Sequence, residues 1–283
     1  MLHNREMLRT LLDRMKLSPP VAIPDRLWTD TLTSLPFLRR LDADERVRLR
    51  TLASQLLADK QMSGAADLVL TAEIQVNIAV QASLPVLNLG IDWYRGWKEI
   101  IVYPGEFLVP RNVTDPDGVV HEYVEPIVGE AWDRGPLLVS WHDAQHRATG
   151  AAAASSVVIH EFVHKLDLLN GAADGIPPFS ALQKALTPER WYSGLQRAFD
   201  RFVAELEMIE SQLPEGVGSD PADEDRYYAH LPFDAYAGED EAEFFAVSSE
   251  AFFVAPTKMQ QTFPEWYALL SEFFLQNPLA QRP

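Results

Sequence analysis

Residues 151–169, AAAASSVVIHEFVHKLDLL, set two histidines, a glutamate, a lysine and an aspartate into an otherwise largely apolar run. The run is long enough for a helix, and Asn170-Gly171 supplies a C-terminal stop. Val157, Val158, Ile159, Phe162, Val163, Leu166 and Leu168 cover nearly every side of that helix, so it must be buried. Two imidazoles and a carboxylate cannot be buried cheaply without partners. A shared metal ion removes that cost. The segment therefore constrains the chain to fold its apolar helices around a polar centre.

His160 and His164 stand at i and i+4 on one helix face, where two imidazoles can converge on one ion at ~2.0–2.1 Å each. Glu161 lies ~100° further round the helix. It can reach a water on that ion without being a ligand and can take its proton, as the H-E-x-x-H pattern requires. The chain has no cysteine, which excludes disulfides, thiolate ligands and a cysteine nucleophile. The metal must be held by His, Asp and Glu, a donor set that suits zinc, and manganese or iron less specifically.

A catalytic zinc needs a third protein ligand. The extended H-E-x-x-H-x-x-G-x-x-H pattern is absent, because Asp167 fills its glycine position and Asn170 its third histidine position. The foremost candidate is Glu243, in the apolar helical stretch around Glu241-Ala242-Glu243-Phe244-Phe245. Glu250 follows two turns along on the same face, placed either to ligate or to accept a hydrogen bond from a ligating imidazole. Glu189 and Asp167 are the other rivals. Glu189 follows Pro188 at a helix start, where an acid is favoured by the dipole in any case. Asp167 is better placed to orient a histidine than to complete a tetrahedron. Tyr236 precedes Glu243 by seven residues, in the short Asp234-Ala235-Tyr236 segment that feeds its helix. Its phenol can steady an oxyanion by hydrogen bonding, or it is an ordinary half-buried tyrosine.

The 47% apolar fraction is ample for a core, and the length suits one large domain with a small appendage. A net charge of −17 repels phosphate backbones and argues against direct nucleic-acid binding. The first twenty residues carry charges throughout and lack a signal-peptide core, and no window reaches the ~18 apolar residues of a membrane span. The expectation is a soluble cytoplasmic protein.

Pro19 and Pro20 separate an amphipathic helix over Leu8 to Leu17 from the rest. Residues 26–59 read as helices, with Asp42 and Glu45 forming a capping box ahead of Leu49, Leu52, Leu56 and Leu57. Residues 64–90 read as largely apolar helix ending at Gly90. Strands are expected at Glu99–Tyr103, Glu122–Val128 and Pro136–Trp141, the last two joined as a hairpin through Asp133-Arg134-Gly135. Residues 172–186 and the acidic stretch 213–232 read as loops. Further helices are expected from Pro188 to about 212, over 239–254, and from Pro264 to near Gln276.

These residues resemble the Mlc titration factor A family, bacterial zinc peptidases with a catalytic core similar to that of anthrax lethal factor. The match runs through Leu84-Pro85-Val86-Leu87, Val102-Tyr103-Pro104, Gly135-Pro136 with Ser140-Trp141, and Ile159 to Asp167 with Asn170-Gly171. It continues through Asp234-Ala235-Tyr236-Ala237, Ala242 to Val247, Ser249-Glu250 and Phe252-Phe253. The resemblance implies His160, His164 and Glu243 as ligands of one zinc per chain, Glu161 as general base and Tyr236 as a catalytic tyrosine. It implies aminopeptidase-like activity on small substrates and binding of the transcriptional repressor Mlc, which affects sugar-uptake genes.

The fold expected is α+β and zincin-like: residues 1–20 a helical extension, 21–283 a mainly helical peptidase domain with a small sheet beside the H-E-x-x-H helix. Asp167 and Glu250 would support the ligands. Pro136–Trp141 is expected as an edge strand on which an extended peptide lies. The function expected is zinc-dependent peptide hydrolysis. The alternative is a regulatory protein that sequesters a repressor.

Overall fold

The computed structural model describes residues 19–105, 107–114, 120–127, 129–131, 135–145, 155–213 and 227–280, the stretch 107–131 through its backbone only. The expected helix over Leu8–Leu17, the turn residues Asp133 and Arg134, and most of the acidic 213–232 stretch lie outside these residues.

The described residues open with helix α1 (Asp25–Ser34), a 3-10 turn at Pro36–Arg40, and α2 (Ala43–Asp59). The capping box at the start of α2 forms as expected: Glu45 N–H donates to Asp42 Oδ1 at 2.8 Å, and Asp42 N–H to Glu45 Oε2 at 3.0 Å. Strand β1 (Gln61–Gly64) follows at once, and helix α3 (Ala72–Ser83) starts at its Thr71 cap. Nothing in the side chains of β1 marks it as a strand, since its four residues are mostly polar and exposed. The helix expected over 64–90 is therefore only its middle part. Leu84, Val86, Leu87 and Leu89 are buried in turns, so their apolar character reports burial rather than helicity.

Strands β2 (Glu99–Tyr103), β3 (Phe107–Thr114), β4 (Val120–Ile127), β5 (Gly129–Ala131) and β6 (Leu137–Ser140) come next. They form two sheets. One has the order β1-β2-β6-β5, with β1, β2 and β6 parallel and β5 antiparallel; the other is the hairpin β3-β4. Two expectations are corrected here. The strand around 122–128 pairs with β3, while the partner of β6 is β5, through Gly129↔Val139 and Ala131↔Leu137. And β6 is an interior strand, bonded to β2 on one side and β5 on the other, so no peptide can add to it. Its burial along all four residues fits that interior place.

After the short helix α4 (Trp141–Ala144) comes the H-E-x-x-H helix α5 (Val157–Asp167), continued by a 3-10 turn to Asn170. It starts later than the apolar run suggests, because Ser156 caps it by accepting from Ile159 N–H. The remaining helices are α6 (Pro188–Glu210), α7 (Glu241–Val254), α8 (Pro256–Thr262) and α9 (Pro264–Phe274). Helix α5 packs between β5 and β6 on one side and α3 and α7 on the others. Helix α7 is apolar around its circumference and sits in an aromatic core. Trp191 meets Phe245 edge-on at 5.5 Å and Trp266 at 4.9 Å, and Phe252 stacks on Phe274 at 5.7 Å.

The approach of α7 to α5 depends on Gly175. Its φ of +74 lies in the left-handed region, and an added Cβ would stand 2.5 Å from the Glu241 carbonyl oxygen and 2.9 Å from Leu195 Cδ2. Its N–H donates to Asp167 Oδ2 at 2.8 Å, and its carbonyl accepts from Trp191 Nε1 at 2.8 Å. Gly175→Ala should lower stability by about 1–3 kcal/mol, from the positive φ and the backbone clash together. Denaturant unfolding measures this, and a midpoint unchanged from wild type would contradict it.

Candidate metal centre

Helices α5 and α7 bring three side chains to one point. His160 Nε2 and His164 Nε2 are 3.0 Å apart, and Glu243 Oε2 lies 3.1 Å from the first and 3.4 Å from the second. Among the described residues these three form the group able to hold a metal ion. A tetrahedral ion with ligands at ~2.0–2.1 Å holds its donors ~3.3–3.4 Å apart. The triangle found here is close to one face of such a tetrahedron, and two imidazoles with one carboxylate are the donors zinc prefers. The residues present fit the ion.

Local sequence explains how each donor arrives. The i, i+4 spacing on α5 aligns the histidines. Asp240 caps α7 by accepting from the N–H of Glu243 at 2.9 Å, which fixes Glu243 in the first turn facing α5. The charges of the cluster's own side chains complement one another. Burial works against a charged His160, yet hydrogen bonds with Glu243 and Glu250 raise its pKa well above the usual imidazole value. Burial would likewise raise Glu243, but hydrogen bonds from both histidines and their charges hold it far below the usual carboxylate range.

The other candidate residues are placed as follows. Glu161 is 3% exposed, next to the first histidine on α5. Glu250 sits two turns along α7 with Oε1 2.8 Å from His160 Nδ1. Tyr236 lies in a 3-10 turn (Ala235–Gly238), half exposed, its ring centroid 6.4 Å from that of His160. Partial burial raises its pKa, followed by the negative charges of Glu243, Glu239, Glu161 and Asp240, so the phenol keeps its proton. Asp167 is fully buried. Among the described residues it makes no hydrogen bond to a histidine; its Oδ2 accepts from Gly175. Glu189 is an exposed residue at the start of α6, whose carboxyl is lowered by its own backbone N–H and Thr187. The sequence reading missed Ser156 and Gln81, which lie behind the histidines. A serine three residues before Ile159 is a capping signal, but nothing local to α3 marks Gln81.

This geometry defines a class first: an α+β chain whose buried H-E-x-x-H helix is completed by a glutamate from a distant helix, the arrangement of a metallopeptidase. The chain belongs to the glucose-regulated metallo-peptidase M90 family, whose model matches residues 10–275. It is 38% identical over 257 residues to Mlc titration factor A of Serratia proteamaculans (strain 568), covering 90% of this chain and 88% of that one. It is 34% identical over 267 residues to Mlc titration factor A of Yersinia pestis (strain Pestoides F), covering 94% and 90%. The protein of the same name from Yersinia pseudotuberculosis serotype O:1b is also 34% identical over 267 residues. No helix among the described residues is long and apolar enough to cross a membrane.

Burial is the main reason the Asp167 carboxyl is pushed up to about 7, against a hydrogen bond from Gly175 N–H that favours its charge. Between about pH 4 and 7 the folded chain keeps this proton while the unfolded chain has released it. The group's contribution to stability is thus complete below the unfolded pKa and is lost as pH rises towards 7. In metal-free protein, wild type should lose more stability than Asp167→Asn between pH 4.5 and 7. Denaturant titrations of both at each pH test this, and parallel pH profiles would refute it.

Proposed function

We propose that this chain is a cytoplasmic zinc-dependent metallopeptidase, zincin-like in its core over residues 21–283, that hydrolyses short peptides as an aminopeptidase. The observation that carries this reading is the triangle of His160, His164 and Glu243 donors beside a buried Glu161. The proposed ligands of one zinc ion are those three residues.

A zinc ion there supplies Lewis acidity to the scissile carbonyl and to the attacking water. Glu161, held against the first ligand by the helix, accepts the water's proton and returns it to the leaving amine. Tyr236 donates a hydrogen bond to the oxygen of the tetrahedral intermediate. Its raised pKa supports that role, since a phenol that stays protonated remains a donor. Glu250 holds His160 by its Nδ1. Asp167, fully buried at the end of the same helix, fixes the following loop through its hydrogen bond from Gly175 N–H. Glu239 and Asp240, whose charges reach Tyr236, give the site the sign that attracts a free peptide amine. That charge supports the aminopeptidase reading over endopeptidase cleavage.

The names of the relatives support a second reading, that the chain also binds an Mlc-type transcriptional repressor. The Glu161→Gln variant separates the two roles, because it removes the base and leaves every proposed ligand. Hydrolysis of peptides with a free N-terminus should fall by about 10²–10⁴-fold, with repressor binding unchanged. N-acetylated peptides should not be cleaved by wild type. Undiminished turnover in the variant would overturn the peptidase mechanism, and equal cleavage of acetylated peptides would overturn the aminopeptidase assignment.

A further inference from the structure

A buried chain of hydrogen bonds leads away from His160 on the side facing away from Glu243. His160 Nδ1 lies 2.8 Å from Glu250 Oε1, and the other oxygen of Glu250 accepts from the backbone N–H of Ser156. The Ser156 hydroxyl accepts from Ile159 N–H at 3.3 Å and donates to Gln81 Oε1 at 2.7 Å. Gln81 Nε2 donates to the Ala144 carbonyl at 2.9 Å and to Asn77 Oδ1 at 2.7 Å. Exposure is 0% for Gln81, 2% for Ser156, 5% for Glu250 and 7% for Asn77.

The donors and acceptors leave one arrangement. A backbone carbonyl only accepts, so Ala144 fixes the amide NH2 of Gln81 towards itself and turns Oε1 to Ser156. The serine hydroxyl must then donate to Gln81, which leaves its lone pair for Ile159 N–H. Ser156 is thereby held as the cap of α5 with its own N–H aimed at Glu250. Ser156 N–H donates to one oxygen of Glu250, and the other oxygen lies against His160 Nδ1, the nitrogen that carries the proton when Nε2 serves as a ligand. That pairing at Nδ1 leaves Nε2 to ligate an ion shared with His164 and Glu243.

We infer that Gln81 and Ser156 are positioning residues for the metal centre: they orient Glu250 and, through it, the ligating nitrogen of His160. This rests on the zinc-centre reading above. Neither residue touches the proposed ligand atoms: Ser156 caps α5 one turn ahead of His160 and Gln81 lies on α3, where a purely structural polar contact would leave metal binding unaltered.

The test is zinc affinity, by competition with a chromophoric chelator, together with the visible absorption of the cobalt(II)-loaded protein. The proteins are wild type, Gln81→Met, Ser156→Gly, Ser156→Thr and Tyr94→Phe. Glycine is tolerated at a helix cap, so Ser156→Gly removes the hydroxyl at little cost to the helix. Tyr94 Oη donates to the Ala82 carbonyl at 2.8 Å, a buried bond on the same helix as Gln81 but outside this chain. Gln81→Met and Ser156→Gly should bind zinc about tenfold or more weakly and shift the cobalt spectrum. Ser156→Thr should restore both, and Tyr94→Phe should lose thermal stability with wild-type affinity and spectrum. If Gln81→Met does not fold, the glycine and threonine variants at 156 decide alone. Wild-type affinity in Ser156→Gly, failure of threonine to restore it, or an equal loss in Tyr94→Phe overturns this inference. A wild type that binds neither metal overturns it together with the zinc reading.

Discussion

Four ionisable side chains, His160, His164, Glu243 and Glu250, are 81–94% removed from solvent inside a packing of apolar helices. Each would be costly there alone. Together they are partners: two carboxylates face two imidazoles at 2.8–3.4 Å. Such a cluster is tolerable only while all its members remain in place, and it is better satisfied by a cation than by protons. The aromatic packing around α7 and the close passage at Gly175 serve this requirement. They hold α7 against α5 so that Glu243 and the histidines share one point.

The same constraint links the centre to parts of the chain far from it. Helix α5 is capped by Ser156, whose hydroxyl is held by Gln81 on α3 and whose N–H is used by Glu250 on α7. Helix α7 begins at Asp240, which fixes Glu243. At the other end of α5, Asp167 holds Gly175, and Gly175 in turn seats the first turn of α7 and the indole of Trp191. Both ends of the histidine helix are therefore tied to the helix that carries the glutamates.

The candidate centre was more legible than the fold around it. H-E-x-x-H on an apolar segment is a local pattern, and the i, i+4 geometry follows from the helix alone. Glu243 was nameable because an acid in a helix as apolar as 241–254 is conspicuous. Pairing information was much weaker. A strand such as Gln61–Gly64 is polar and joins the sheet through its backbone, so nothing in its side chains announced it. The true partner of Leu137–Ser140 is hidden in the sequence because Gly129–Ala131 is only three residues long and carries no alternating pattern. Apolar turns at 84–89 resembled helix because burial and helicity share one composition. Gln81 was invisible for a different reason: its importance lies in contacts to residues 63 and 75 positions away.

The claim on which the rest depends is that His160, His164 and Glu243 hold one zinc ion. Elemental analysis of protein purified without added metal, compared with Glu243→Ala, tests it directly. About one zinc per chain in wild type, lost or much reduced in the variant, is the result expected. Wild-type protein that carries no zinc even after reconstitution, or a variant that retains a full equivalent, would contradict it.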